Sequence, residues 1–159
     1  MATKRGKQAA GAPLLAPKDV RAYIRGKAAI IAPADVEALL GQEVEILARG
    51  ATETAHPRLR RQAELGVRIL RDHTSGAAPQ IPYFTISLIA VALFYFLDQA
   101  DAIPDWIPGI GTSDDALVLE LAFEMGAAGV QRYCDWKGLS TEGVLPPIKP
   151  RTGRTLRPR

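Results

Sequence analysis

The apolar positions of the chain recur at intervals of three and four residues and nowhere alternate, which predicts helices and no strands. After Lys18 a short helix to Ile31 is expected, weakened by Gly26. Pro33 suits the first turn of a second helix, with Asp35 and Glu37 favourably placed at its N-terminal end. Val36, Leu39, Leu40, Val44 and Leu47 then form one amphipathic stripe. A third helix follows Pro57, with Leu59, Ala63, Gly66, Val67 and Leu70 on its apolar face, and it ends near the His73–Gly76 stretch. A fifth helix begins at Thr112 or Ser113, where Thr112 and Asp115 have capping-box spacing, and its apolar residues continue to Val130.

The fourth segment differs in kind. No charged residue occurs from Thr74 to Leu97, and ten of the 17 residues from Ile81 to Leu97 are Leu, Ile, Phe or Val. Seventeen residues is the lower edge of what crosses roughly 30 Å of hydrocarbon. Asp115, Glu120 and Glu124 in the following helix oppose a second span. Arg68 and Arg71 before the run and the basic C-terminal stretch would lie on opposite sides of a single span, against the usual inward placement of positive charge. A helix buried in a bundle explains the run without that conflict, and membrane association is the competing reading. The expected architecture is all-α, a bundle of four to five helices over residues 18–137, between a disordered basic tail (1–17) and a disordered Pro/Arg-rich tail (138–159).

Charge sharpens this division. The formal net charge of +3 conceals +6 over residues 1–27, −8 over 28–148 and +5 over 149–159. Basic ends of this kind suit an anionic membrane surface or a nucleic acid, although neither tail has the interleaved aromatics on which bases stack. No apolar stretch follows the first basic residues before Asp19, so a secretory signal is not expected. The single cysteine, Cys134, excludes an internal disulfide and any thiolate-rich zinc site. Near a helix end it reads as a packed, inert thiol. Trp106, Tyr133 and Trp136 could form an interfacial belt or cover one end of the bundle. Ala122, Gly126 and Gly129 permit close helix contact, within the chain or in a homo-oligomer.

Between the two apolar helices lies a segment with five aspartates in eighteen residues, Asp98, Asp101, Asp105, Asp114 and Asp115, and no Lys or Arg. Pro104 and Pro108 deny it a continuous helix, so it is expected to be a hairpin anchored by Ile103, Ile107 and Ile110. Asp101, Asp105, Asp114 and Asp115 are candidate ligands of a hard cation, Mg²⁺ or Ca²⁺. Capping of turns and helix starts by the same side chains is the favoured reading. Ser and Thr residues form no patterned triad with either histidine, so no hydrolase is indicated.

The run from Tyr95 to Asp115, with Asp101, Ile103, Pro104, Asp105, Ile107, Pro108, Gly111, Asp114 and Asp115 in register, resembles the YkvA-like family, a bacterial domain of unknown function. The resemblance extends from Ala32–Val36 through Leu70–Asp72 to Tyr133–Lys137, with residues 81–136 as its core, and departs where Gln99 replaces the family's proline. It implies a small helical domain, often membrane-associated, and implies no activity. The expectation is a non-enzymatic interaction module in the bacterial cytoplasm or at the inner face of its membrane, with a protein or an anionic surface as partner. A metal-dependent enzyme using the aspartates, and nucleic-acid binding through the tails, are the alternatives.

Overall fold

A computed structural model describes residues 17–52, 57–97 and 112–146. These form seven helices and no strand: α1 (Pro17–Ala28), α2 (Pro33–Leu40), α3 (Glu43–Thr52), α4 (Pro57–Thr74), α5 (Tyr83–Leu97), α6 (Thr112–Met125) and α7 (Ala127–Lys137). The all-α expectation holds, and the helix count exceeds the expected four to five because two expected helices are each broken.

The first break falls at Gly41 and Gln42. The Gly41 N–H bonds the Glu37 carbonyl and closes α2, and α3 starts two residues later. The stripe read as one face is thereby divided. Val36, Leu39 and Ile46 are fully buried, whereas Val44 is 77% exposed and Leu47 also faces solvent. The second break is at Gly126, which ends α6 and opens α7. An added Cβ there would lie 3.3 Å from Thr85 Cγ2 and 3.5 Å from Leu88 Cδ1, so the chain redirects where it passes closest to α5. The small residues thus make contacts inside this chain.

Helix α5 is the axis of the core and packs against each of the other six helices. Ile86, Leu88, Ile89, Ala90, Ala92, Leu93 and Phe96 have no solvent exposure. Gly66 of α4 allows the closest approach: a Cβ there would meet Ile89 Cγ2 at 3.1 Å and Leu93 Cδ1 at 3.3 Å. The expected α4 face, Leu59, Ala63, Gly66, Val67 and Leu70, is buried throughout. Among the described residues no helix is long and apolar enough to cross a membrane.

The order of the C-terminal region also differs from the sequence reading. Residues 138–146, placed by composition in a disordered tail, run as turns against the bundle. Val144 is buried, and its carbonyl accepts a 2.9 Å bond from Gln62 Nε2. Gly138 and Gly143 turn the chain at φ +72° and +77°, values that favour glycine, and Arg61 lies against Gly143.

Candidate functional site

The described polar side chains assemble in two places. On one flank, α6 supplies Glu120 and Glu124 to arginines of other helices. Arg58 Nη1 lies 2.9 Å from both oxygens of Glu120, and Gln62 Nε2 adds a 3.2 Å bond to Glu120 while holding Val144. Arg21 of α1 reaches both oxygens of Glu124 at 3.1 Å. Half-exposed pairs of this kind fix helix register and add modest stability. Along them runs an open groove of about 1130 Å³, bordered by α1, α4, α7 and the 140–146 turns.

The second cluster surrounds the last turn of α4. The Tyr133 hydroxyl donates to Asp72 Oδ2 at 2.6 Å, and Lys137 Nζ lies 3.2 Å from the same oxygen. Burial pushes the Asp72 carboxyl up, but these two donors, together with the charge of nearby Arg68, outweigh it and hold the group below its ordinary value. Burial, and then the carboxylate it faces, push the Tyr133 hydroxyl well above its ordinary value. Tyr133 therefore keeps its proton and clamps α7 to α4. It is fully buried and contributes nothing to an interfacial belt, whereas Trp136, tilted against it at 5.8 Å, is 46% exposed with Lys137 Nζ 5.0 Å from its ring. Cys134 is buried, and burial followed by the neighbouring Asp135 charge raises its thiol, in keeping with a packed cysteine.

Beyond Asp72 the chain turns back on itself. Gly76, at φ +81°, ends α4, and the Ala78 N–H bonds the Asp72 carbonyl at 3.1 Å. Ala78 and Ile81 are buried anchors of this turn, while residues 75–77, 79, 80 and 82–84 are exposed and uncharged. The Tyr83 hydroxyl donates to the Ile31 carbonyl at 2.9 Å, and its ring lies 5.9 Å from that of His73. Phe84 remains 48% exposed, and Ile30, beside Ile31, 72%.

The candidate cation ligands are distributed differently. Asp101 and Asp105 lie outside the described residues, as does Trp106; Asp114 and Asp115 fall in the first turn of α6, where the backbone alone is described. Among the described residues no group of three or more His, Cys, Asp or Glu side chains is placed to hold a metal ion. The segment that carries the aspartates leaves α5 at Leu97 and enters α6 at Thr112, the end of α5 opposite Tyr83. Sequence reasoning missed the Asp72–Tyr133–Lys137 cluster because its members lie on helices 61 residues apart. The exposed turn has a visible signal in the sequence, the absence of charge from Thr74 onward, but hydropathy alone divides that stretch only between a buried helix and a membrane-associated one.

Comparison with known proteins agrees with the motif. Residues 85–121 match the profile of a family described as protein of unknown function (DUF1232). Over 70 residues the chain is 34% identical to the uncharacterized membrane protein YkvA of Bacillus subtilis (strain 168), a match covering 44% of this chain and 66% of that protein. The chain thus spans slightly less than two thirds of that relative's length. No solved structure matches. The profile match runs across α5, the aspartate segment and most of α6, and together with the relative it supports the chain's resemblance to the YkvA-like DUF1232 family.

Proposed function

We propose that the chain is a non-enzymatic helical interaction module that works at a membrane surface, bound to it peripherally. The observation that carries this reading is the enclosure of α5. Among the described residues the one strongly apolar helix is 15 residues long, about 22 Å at 1.5 Å per residue, and its core positions are covered by the other six described helices. A bilayer core is about 30 Å thick, so this helix is too short to cross and already has protein around it. The Bacillus relative is called a membrane protein, and an attachment through surface groups reconciles that description with a covered α5. The basic ends of the chain, +6 over residues 1–27 and +5 over 149–159, suit an anionic cytoplasmic leaflet. Such attraction is screened by salt.

Cell fractionation tests this directly. The untagged protein should sediment with membranes in low-salt buffer and be released by high salt or by a carbonate wash. Retention in the carbonate pellet would mean a spanning segment and would sink the peripheral reading. Complete recovery in the low-salt supernatant would remove the membrane from the proposal altogether.

A further inference from the structure

The turn between α4 and α5 forms an exposed tip. Its eight exposed residues carry no charge, and the two that it buries, Ala78 and Ile81, pin it to the bundle. Tyr83 is tied inward through its hydroxyl to Ile31 and through its ring to His73, so its body is held in place while 40% of it stays exposed. Phe84, beside it, is the more exposed of the two aromatics. Behind the tip come cations: Arg71 and Arg68 lie three and six residues before Thr74 on α4, and Lys137 meets α4 at Asp72. Arg71 and Lys137 are paired with Glu43 and Asp72, and Arg68 is in no ion pair among the described residues.

We propose that this tip is a shallow wedge that seats in the headgroup region of an anionic bilayer. Phe84 and Tyr83 are its apolar anchors, and Arg68, Arg71 and Lys137 face lipid phosphates behind them. The wedge rests on the peripheral reading above and specifies which surface makes the contact. Three features favour lipid over protein as the occupant. A charge-free tip avoids the cost of moving charge toward hydrocarbon. The cations one to two turns back, roughly 5–10 Å along α4, match the depth of about 5–10 Å at which interfacial segments lie. And eight exposed residues on a turn fall well short of the roughly 20–30 per side of a stable protein interface, whereas a bilayer needs no matching surface.

The test uses the full chain with vesicles of phosphatidylcholine alone and of equal parts phosphatidylcholine and phosphatidylglycerol. Because Cys134 is fully buried, Phe84→Cys can be labelled selectively with a polarity-sensitive fluorophore. The label should shift to the blue with the anionic vesicles and stay unshifted with the neutral ones. Phe84→Glu should lower partitioning into anionic vesicles about tenfold, and Phe84→Ser by less. Both should keep the wild-type melting temperature and far-UV circular dichroism, because Phe84 is half exposed. If the wild type binds anionic vesicles while the label on Phe84→Cys stays unshifted and Phe84→Glu binds as the wild type does, the wedge is wrong and the peripheral reading survives. If the wild type binds no vesicles, both fall. If Phe84→Glu instead abolishes a concentration-dependent self-association, the tip is a contact between copies and the lipid assignment is overturned.

Discussion

At Gly129 the α7 backbone passes Thr85 so closely that an added Cβ would lie 2.8 Å from both Cβ and Cγ2 of that residue. Thr85 belongs to the covered α5 helix and is 4% exposed, so neither side can yield cheaply. Gly129→Ala should therefore destabilise the fold by about 1–3 kcal/mol in urea unfolding, the usual cost of overpacking. Adding Thr85→Ala should recover part of that loss, because the two residues share one space and their effects will not add. Chemistry rather than volume decides the outcome at Tyr133. Tyr133→Phe removes the donor to Asp72 and should cost about 1–2 kcal/mol near neutral pH, as a bond to a charged, partly exposed group does. The folded carboxyl lies below its ordinary value, so its contribution is present above about pH 4 and is lost as the pH falls through the folded value. The difference between wild type and Tyr133→Phe should accordingly shrink in acid. In alkali the sign reverses: the folded protein holds the Tyr133 proton more tightly than the unfolded chain, so wild-type stability should fall as the pH rises past about 10. A flat difference across the acid range would show that the Tyr133–Asp72 bond is not what links these helices.

Among the elements, two forms of information differ in how well a sequence displays them. The face of α4 was legible because five apolar residues at regular spacing leave one solution for burial. The division of α2 from α3 was not, since Val44 and Leu47 continue the same spacing past Gly41 and only tertiary packing turns Ile46 inward in their place. Gly126 hid similarly inside a run of apolar and small residues. The 138–146 turns were hidden for another reason: Leu139, Val144 and Leu145 among Gly, Ser, Thr, Glu and Pro make no helical or strand pattern, and the Val144 partner Gln62 is 82 residues away. The roles of Glu120 and Glu124 were half legible. Their charge argued against a span, but their arginine partners required the fold. These pairs give a graded expectation. Glu120 serves two partners and is the less exposed, 33% against 48% for Glu124. Glu120→Gln should cost about 1 kcal/mol and Glu124→Gln less than about 0.5 kcal/mol, measured as differences in urea midpoint at unchanged slope. Equal effects would mean that the Gln62 bond to Glu120 carries no weight.

For the whole molecule, the same apolar run supported two architectures in the sequence, a membrane span and a bundle core, because hydropathy reports what a helix avoids and not what surrounds it. In the described bundle the surrounding helices cover α5, whereas the aspartates that the family motif singles out fall largely outside the described residues. In the chain the aspartate segment follows α5 after Leu97, and the uncharged tip precedes it before Tyr83. The support that α5 gives the described bundle can be measured. Ile89 is fully buried midway along α5, against the gap left by Gly66. Because every other described helix touches α5, a cavity at that point should weaken the bundle as one unit and not fray a single element. Ile89→Ala should lower the unfolding free energy by about 2–5 kcal/mol, with the helical signal and the Tyr133 and Trp136 environment lost in one coincident transition. Phe84→Ser, five residues before Ile89 on the same helix but exposed, should change stability by no more than about 0.5 kcal/mol. A helix whose apolar residues faced lipid would reverse that contrast in detergent-free solution: Ile89→Ala would be tolerated there, since its side chain would have no protein partners to lose.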